Sequence, residues 1–124
     1  MTKIARLKRR AEFLAVAASR RRSVMPGLIL QAAWNAGAAA PRVGFTASKK
    51  VGIAVARNRA RRRLRAAAER VIADHGAPGH DFVLVARAGT LTRRFGDLLS
   101  DLETALKQVG AYRADAGAIA GGAA

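Results

Sequence analysis

The chain has no cysteine, few acidic residues and no long apolar run. Without cysteine it can form no disulfide, no thiolate metal site and no cysteine nucleophile. No segment approaches the ~20 apolar residues that span a bilayer, and the basic N-terminal region contains no uncharged stretch of signal-peptide length. We therefore expect a cytoplasmic protein with no membrane partner.

The scarcity of acidic residues points to a class of partner. The chain contains 23 Lys and Arg against 8 Asp and Glu, for a net charge of +15. Residues 1–70 hold 18 of the basic residues and only Glu12 and Glu69, a net +16, whereas residues 71–124 hold 5 basic and 6 acidic residues, a net −1. A bound polyanion relieves such self-repulsion, so a nucleic acid is the first candidate partner.

Length limits the number of domains. With 124 residues, of which 51% are hydrophobic, the chain suffices for one domain with a core and is too short for two. We assign residues 1–113 to this domain. Residues 114–124 are mostly Ala and Gly, offer too little to bury, and are predicted to be a disordered tail.

Apolar residues at helical spacing predict three helices, over residues 9–19, 58–74 and 93–109. In the first helix the apolar stripe is Ala11, Leu14, Ala15 and Ala18. In the second helix the residues predicted to face the core are Ala60, Leu64, Ala67, Ala68 and Val71.

Four strands are predicted, over residues 27–34, 42–47, 51–56 and 81–86. Asn35, Gly37 and Pro41 supply turn residues between the first two strands, which indicates a hairpin. The last strand is nearly continuous in apolar residues, which is typical of a central position in a sheet. The order α-β-β-β-α-β-α describes an α+β fold, a two-layer sandwich with helices packed on a four-stranded sheet.

A run of arginines opens the second predicted helix. Its members are Arg57, Arg59, Arg61, Arg62, Arg63, Arg65 and Arg70. On a helical wheel all except Arg57 spread over the side away from Leu64 and Val71. Guanidinium groups stay charged and make forked contacts with phosphate oxygens, so this side suits a phosphate backbone. The alternative is a solvated face balanced by acidic neighbours, but only Glu69 lies at helical spacing for pairing.

Three aromatic residues have two interpretations each. Phe13 lies on the side of the first helix that carries Arg9 and Arg20, where an RNA base could stack on its ring and contribute ~1–3 kcal/mol. Alternatively, Phe13 packs under a neighbouring strand. The same choice applies to Phe45 and Trp34, and for Trp34 we favour the core or the sheet edge.

A protein-only active site is hard to assemble from this sequence. A carboxylate beside a histidine could orient a base or hold a metal, and such residues surround the Gly-rich turn after the second helix: Asp74, His75, His80 and Asp81. Adjacent residues in a turn are more often surface capping groups. With no Gly-rich phosphate loop and no metal-ligand spacing, we expect no catalytic residue and no metal site in the protein itself.

The stretch from Arg42 to Arg65 resembles the signature of the bacterial ribonuclease P protein. The residues that carry this resemblance are Lys49-Lys50-x-Gly52, Ala54-Val55 and Arg57-Asn58-Arg59. The resemblance implies a subunit of a ribonucleoprotein endonuclease that removes the 5′ leader from precursor tRNA. It also implies that the RNA subunit holds Mg²⁺ and the catalytic groups, and that a left-handed β-α-β crossover links the third and fourth strands, against the usual right-handed rule.

The resemblance implies two sets of RNA-binding residues. The set implied to contact the catalytic RNA is Arg57, Asn58, Arg59, Arg61, Arg62 and Arg65. The set implied to hold the leader of precursor tRNA, in a cleft between the sheet and the first helix, is Phe13, Arg42, Phe45, Ser48, Lys49 and Lys50. The sequence departs from the family pattern at Ala17, Ile53, Ala66 and Ala68.

Other functional classes remain open at this stage. A ribosomal or otherwise structural RNA-binding protein shares the charge and the size but has no role in cleavage. A helix-turn-helix DNA-binding module needs two adjacent helices, whereas predicted strands flank the arginine-rich helix. A membrane-active basic helix is disfavoured because the apolar stripe is mostly alanine.

Overall fold

The computed structural model describes residues 4–37 and 40–114. The strands are β1 Ala5–Arg6, β2 Arg21–Val24, β3 Leu28–Trp34, β4 Arg42–Thr46 and β5 His80–Ala86, and the helices are α1 Arg10–Ala18, α2 Ala54–His75, α3 Ala88–Thr92 and α4 Phe95–Gln108. A single 3-10 turn covers Lys49–Val51. Beyond Ala114, the predicted tail lies outside the described residues. None of the helices in these two ranges is long and apolar enough to cross a membrane.

The strands form one sheet in the order β1-β4-β5-β3-β2. The prediction of a central last strand is confirmed, because β5 pairs antiparallel with β3 and parallel with β4. Burial explains this position, since all residues of β5 except Val85 are buried. The α+β class is therefore confirmed, with five strands instead of the predicted four. The segment β4-α2-β5 is a β-α-β crossover between adjacent parallel strands, and its left-handedness stays a prediction.

The predicted hairpin is wrong. The strands β3 and β4 do not pair, because β5 lies between them. The antiparallel neighbour of β3 on its other side is β2, with Arg21 opposite Ala32 and Val24 opposite Ile29. The strand β2 was not predicted because its two arginines resemble a solvated linker, whereas in this edge strand Arg22 is exposed and Arg21 donates to His80 and to the carbonyl oxygen of Val109.

The predicted strand over residues 51–56 is also wrong. The backbone N–H of Lys50 donates to the Ser48 side chain, which caps the 3-10 turn. Gly52 then follows with φ 148°, a conformation that favours glycine. The helix α2 begins at Ala54, four residues before its predicted start, so the β-branched Val55 lies on an exposed helix surface.

Helices cover both faces of the sheet. On one face, α2 and α4 enclose the main core, and the five predicted core residues of α2 are all buried. On the other face, α1 packs through Val16 and Phe13 against Leu7 and Val83. The stripe predicted for α1 is wrong, because its four residues are exposed. Apolar residues lie all round this short helix, so its pattern did not define one buried side.

The last predicted helix is interrupted. It corresponds to the short α3 and the longer α4, separated at Arg93 and Arg94. Arg93 has extended backbone angles and directs its guanidinium to the buried Asp101, with Nη2 at 2.8 Å from Oδ1. Asp101 also accepts the backbone N–H of Gly27, which ties α4 to the residue before β3.

Candidate nucleic-acid interface

The exposed side of α2 carries arginines that the fold does not use. Within the described ranges, no side-chain hydrogen bond or ion pair involves the exposed residues Arg59, Arg62, Arg65 and Arg70. The first three follow one another at a spacing of three residues, so their side chains are neighbours on the helix surface. Such a row of fixed positive charge attracts a chain of phosphates.

Other arginines of the run are tied into the structure. Arg57 donates through Nη1 to the carbonyl oxygen of Gly52 at 2.9 Å, which joins the start of α2 to the turn before it. Arg63 donates through Nε to the carbonyl oxygen of Thr90 at 2.8 Å and through Nη2 to that of Arg93. The wheel placed Arg63 on the phosphate side, but it holds α2 against the region of α3.

Two residues predicted to contact RNA also contact each other. Arg61 is half-buried and donates through Nη2 to the Asn58 side-chain oxygen at 2.5 Å. This contact leaves the Asn58 amide as a donor and orients the Arg61 guanidinium near the start of α2. A carbonyl oxygen that accepts from a cation adds no negative charge, so the positive potential of this end of the helix is kept.

The predicted leader set does not lie in one place. Exposed Ser48, Lys49 and Lys50 lie in or beside the 3-10 turn that packs against the start of α2, so the two lysines extend the basic surface of that helix. The Ser48 oxygen already accepts the N–H of Lys50. The structure therefore places these three residues beside the start of the helix that carries the predicted catalytic-RNA set.

Phe13 and Phe45 lie on opposite faces of the sheet. The Phe13 ring lies on Gly44, where a Cβ atom would overlap it, so glycine is needed in the strand for this approach. Phe45 packs against the core beneath α2, and the Arg6 guanidinium lies 5.8 Å from its ring centroid. The role of Gly44 was not predicted, although an isolated glycine inside a strand is a signal of close approach.

Arg42 is bound by two carboxylates. Its guanidinium makes a forked contact with Asp81, at 2.9 and 2.7 Å, and donates to Glu12 at 2.8 Å. Hydrogen bonds to Asp81 raise the pKa of Arg42 further. The backbone N–H groups of Arg9 and Lys8 donate to Glu12 and, together with Arg42, lower the pKa of Glu12 to about 2. This cluster fastens the start of α1 to the sheet and thereby positions Phe13.

The residues around the Gly-rich turn are engaged in packing and in hydrogen bonds. His75 stacks on Tyr112, with ring centroids 4.9 Å apart, and His80 is buried against Phe82. The Asp81 carboxylate accepts hydrogen bonds from Arg42 and Asn35. Over residues 4–37 and 40–114, no group of three His, Cys, Asp or Glu side chains could hold a metal ion.

Comparison with known proteins gives a consistent result. The family model described as Ribonuclease P matches residues 1–110. The ribonuclease P protein component of Paramagnetospirillum magneticum is 55% identical over 112 residues, 87% of this chain and 84% of that protein. That of Gluconacetobacter diazotrophicus is 47% identical over 110 residues, 89% of this chain and 95% of that protein.

A solved structure gives the same fold. The RNase P protein of Staphylococcus aureus superimposes with a TM-score of 0.71 over 90% of this chain and 100% of that chain. At 23% sequence identity this likeness concerns the fold. It extends over both the sheet and the helices that position the basic surface of α2.

Proposed function

This chain belongs to the ribonuclease P protein family, and from that premise we propose how its surface contacts RNA. It serves as the protein subunit of this ribonucleoprotein endoribonuclease in tRNA processing, with the catalytic RNA as its partner. The ribosomal alternative shares the charge but not this family membership. We also propose that it acts in the cytoplasm, and the residues that contact each RNA are proposed below.

We propose that the exposed side of α2 binds the backbone of the catalytic RNA. One observation carries this assignment: Arg59, Arg62 and Arg65 are exposed, adjacent and without a side-chain partner among the described residues. Lys49 and Lys50 extend the same positive surface at the start of the helix. Contacts of this kind fix the position of the protein on the RNA without reading its sequence.

For the substrate, we propose that the face of the sheet covered by α1 receives the 5′ leader of precursor tRNA. Phe13 is half-buried on Gly44 and retains an accessible part of its ring beside the basic end of α1. A partly exposed ring can stack with a base of any identity, which suits leaders of varied sequence. The cluster of Arg42, Glu12 and Asp81 keeps α1 in place for this contact.

We propose that the RNA subunit supplies the groups that hold Mg²⁺. The carboxylates of the basic half support this assignment, because Glu12 already accepts from Lys8, Arg9 and Arg42 and lies next to positive charge. A cation would have to displace the guanidinium to reach it. The role of the protein is to bind and orient the two RNA molecules, while the chemistry that Mg²⁺ supplies takes place on RNA.

The decisive experiment is cleavage of precursor tRNA by a bacterial ribonuclease P RNA at low Mg²⁺, with and without the protein. Addition of the protein should increase the cleavage rate, because the positive charge of the bound protein lowers the repulsion between the two RNA molecules. Unchanged cleavage would contradict the function. The double variant Arg59→Ala/Arg62→Ala should need a higher protein concentration for the same rate.

The leader site has its own test. Phe13→Ala should weaken binding of precursor tRNA with a long leader and leave binding of mature tRNA unchanged. Leu14→Ala is the matched control, since Leu14 is the next residue of α1 and is 54% exposed. Equal loss for precursor and mature tRNA in the Phe13 variant would show that this ring serves packing alone.

A further inference from the structure

The only tryptophan of the chain is exposed to solvent. Trp34 ends β3 and is 73% exposed, although the residues before it in the same strand are buried or half-buried. Exposure of a large indole forfeits the stabilisation that burial of an aromatic side chain gives. Tryptophan is enriched at binding interfaces, where its ring contributes a large buried area.

The indole has a rigid support. The ring of His80, on the paired strand β5, lies 4.2 Å from it between centroids at an angle of 37°. His80 is 1% exposed and stacks on the core residue Phe82. Its Nδ1–H donates to the carbonyl oxygen of Pro78 at 3.2 Å, and its Nε2 accepts from the guanidinium of Arg21 at 3.3 Å. Both imidazole nitrogens are thus fixed, and the indole rests on a ring that cannot turn freely.

One guanidinium lies beside the exposed indole. The Arg21 guanidinium lies 5.5 Å from the Trp34 ring centroid and is held by the carbonyl oxygen of Val109 at 2.6 Å. Arg21 is paired with the core residue Ala32 across β2 and β3, so Arg21 and Trp34 lie on the same face of the sheet.

This surface is separate from both RNA contacts proposed above. Trp34 pairs with His80, the residue that opens β5 shortly after the C-terminal end of α2. Along α2, Arg59 is about 24 Å from that end at 1.5 Å per residue. Trp34 and His80 also share the sheet face that packs against α4, whereas Phe13 lies on the opposite face.

We propose that Trp34, supported by His80 and Arg21, is a stacking site for one unpaired base of single-stranded RNA, with the guanidinium of Arg21 beside the stacked base. An aromatic face beside guanidinium groups is the combination that binds single-stranded nucleic acid without sequence preference. The guanidinium of Arg21 favours this anionic occupant over a second copy of a chain with a net charge of +15. The site can fail without affecting the function proposed for α2.

The lone tryptophan provides a direct probe. Titration of the protein with a short single-stranded oligoadenylate should quench its intrinsic fluorescence to saturation, because the base stacks on the indole. Inorganic polyphosphate should bind through charge without comparable quenching. Binding of labelled oligoadenylate, measured by anisotropy, with no change in tryptophan emission would overturn the proposal.

Variants test the same contact by affinity. Trp34→Ala should weaken oligoadenylate binding by about fivefold or more, the lower end of the contribution of one stacked base, and Trp34→Phe should restore most of it. Leu14→Ala, at another exposed apolar residue, should bind like the parent. Equal affinity of Trp34→Ala and the parent would overturn the proposal. So would an indole already shielded from acrylamide in the free protein with a dimer in sedimentation, which would indicate self-association.

Discussion

Two groups of arginines in this protein have the same chemistry and different surroundings. The free arginines, Arg59, Arg62, Arg65 and Arg70, have no side-chain partner among the described residues. The tied arginines, Arg21, Arg42, Arg63 and Arg93, reach carboxylates, carbonyl oxygens or an imidazole nitrogen. The difference lies in the supply of acceptors, because Glu12, Asp81 and Asp101 are already paired with Arg42 and Arg93.

This comparison separates stability from binding. A tied arginine supports the fold, since its removal leaves a carbonyl or carboxylate without a donor. A free arginine adds repulsion to the isolated protein and is compensated when phosphates approach. Substitutions in the two groups should therefore change different measurements.

The largest expected effect is that of salt on RNA binding. If the four free arginines with Lys49 and Lys50 each neutralise a phosphate, affinity for the catalytic RNA should fall by ~10³-fold or more between 50 and 200 mM salt. Filter binding over this range measures the slope. A nearly flat dependence would contradict backbone binding by the free arginines, whatever the affinity at low salt.

The second effect concerns two free arginines directly. Arg59→Ala/Arg62→Ala should weaken assembly with the catalytic RNA by roughly tenfold for each guanidinium–phosphate hydrogen bond that the variant removes. The slope of log affinity against log salt should decrease by about two. The urea midpoint should stay within the small change of ordinary surface substitutions. A large loss of stability in this variant would place Arg59 or Arg62 among the tied arginines.

The third effect falls on a tied arginine. Arg42→Met leaves Asp81, with 11% of its side chain exposed, without its forked partner. We expect a loss of about 2–3 kcal/mol in the free energy of unfolding, below the cost of breaking a fully buried pair because 30% of Arg42 is exposed. Urea denaturation measures it, and Arg62→Met, which removes the same charge, is the control. Similar midpoints for both variants would refute the distinction between the two groups.

The sequence predicted the parts of the fold that follow from simple periodicity. The core side of α2 and the central position of β5 were found because each is a long, consistent apolar pattern. The class α+β followed from their order. The short strands β1 and β2 were missed because two to four residues carry too little pattern, and Arg21 and Arg22 concealed the second of them.

The site was predictable only as far as charge and motif define it. The arginine run indicated a phosphate-binding helix, but which members are free depends on contacts from distant parts of the chain. Arg63 meets Thr90 and Arg42 meets Asp81, and no local spacing relates these pairs. The exposure of Trp34 was unexpected for the same reason, since it depends on where β3 ends relative to α4.

The smallest expected effect concerns the hydrogen bond between Arg21 and His80, which depends on pH. Arg21 can donate to His80 only while Nε2 is unprotonated, and burial of the imidazole lowers its pKa below the usual 6.5, with the charge of Arg21 acting in the same direction. The unfolded chain therefore takes up a proton at His80 at a higher pH than the folded protein does. The contribution of neutral His80 to stability is complete above about pH 6.5 and decreases as the pH falls below that value.

Urea midpoints measured from about pH 7.5 to about pH 5 should therefore decrease toward acid. This range covers the pKa of about 6.5 that histidine has in unfolded chains. His80→Gln should be less stable but should lose most of this pH dependence. His75→Gln, at the only other histidine, should retain it. Carboxylates such as Glu12, with its pKa of about 2, add their own loss only at lower pH, because their unfolded pKa lies near 4.5. A pH dependence that persists unchanged in His80→Gln would show that His80 does not cause it.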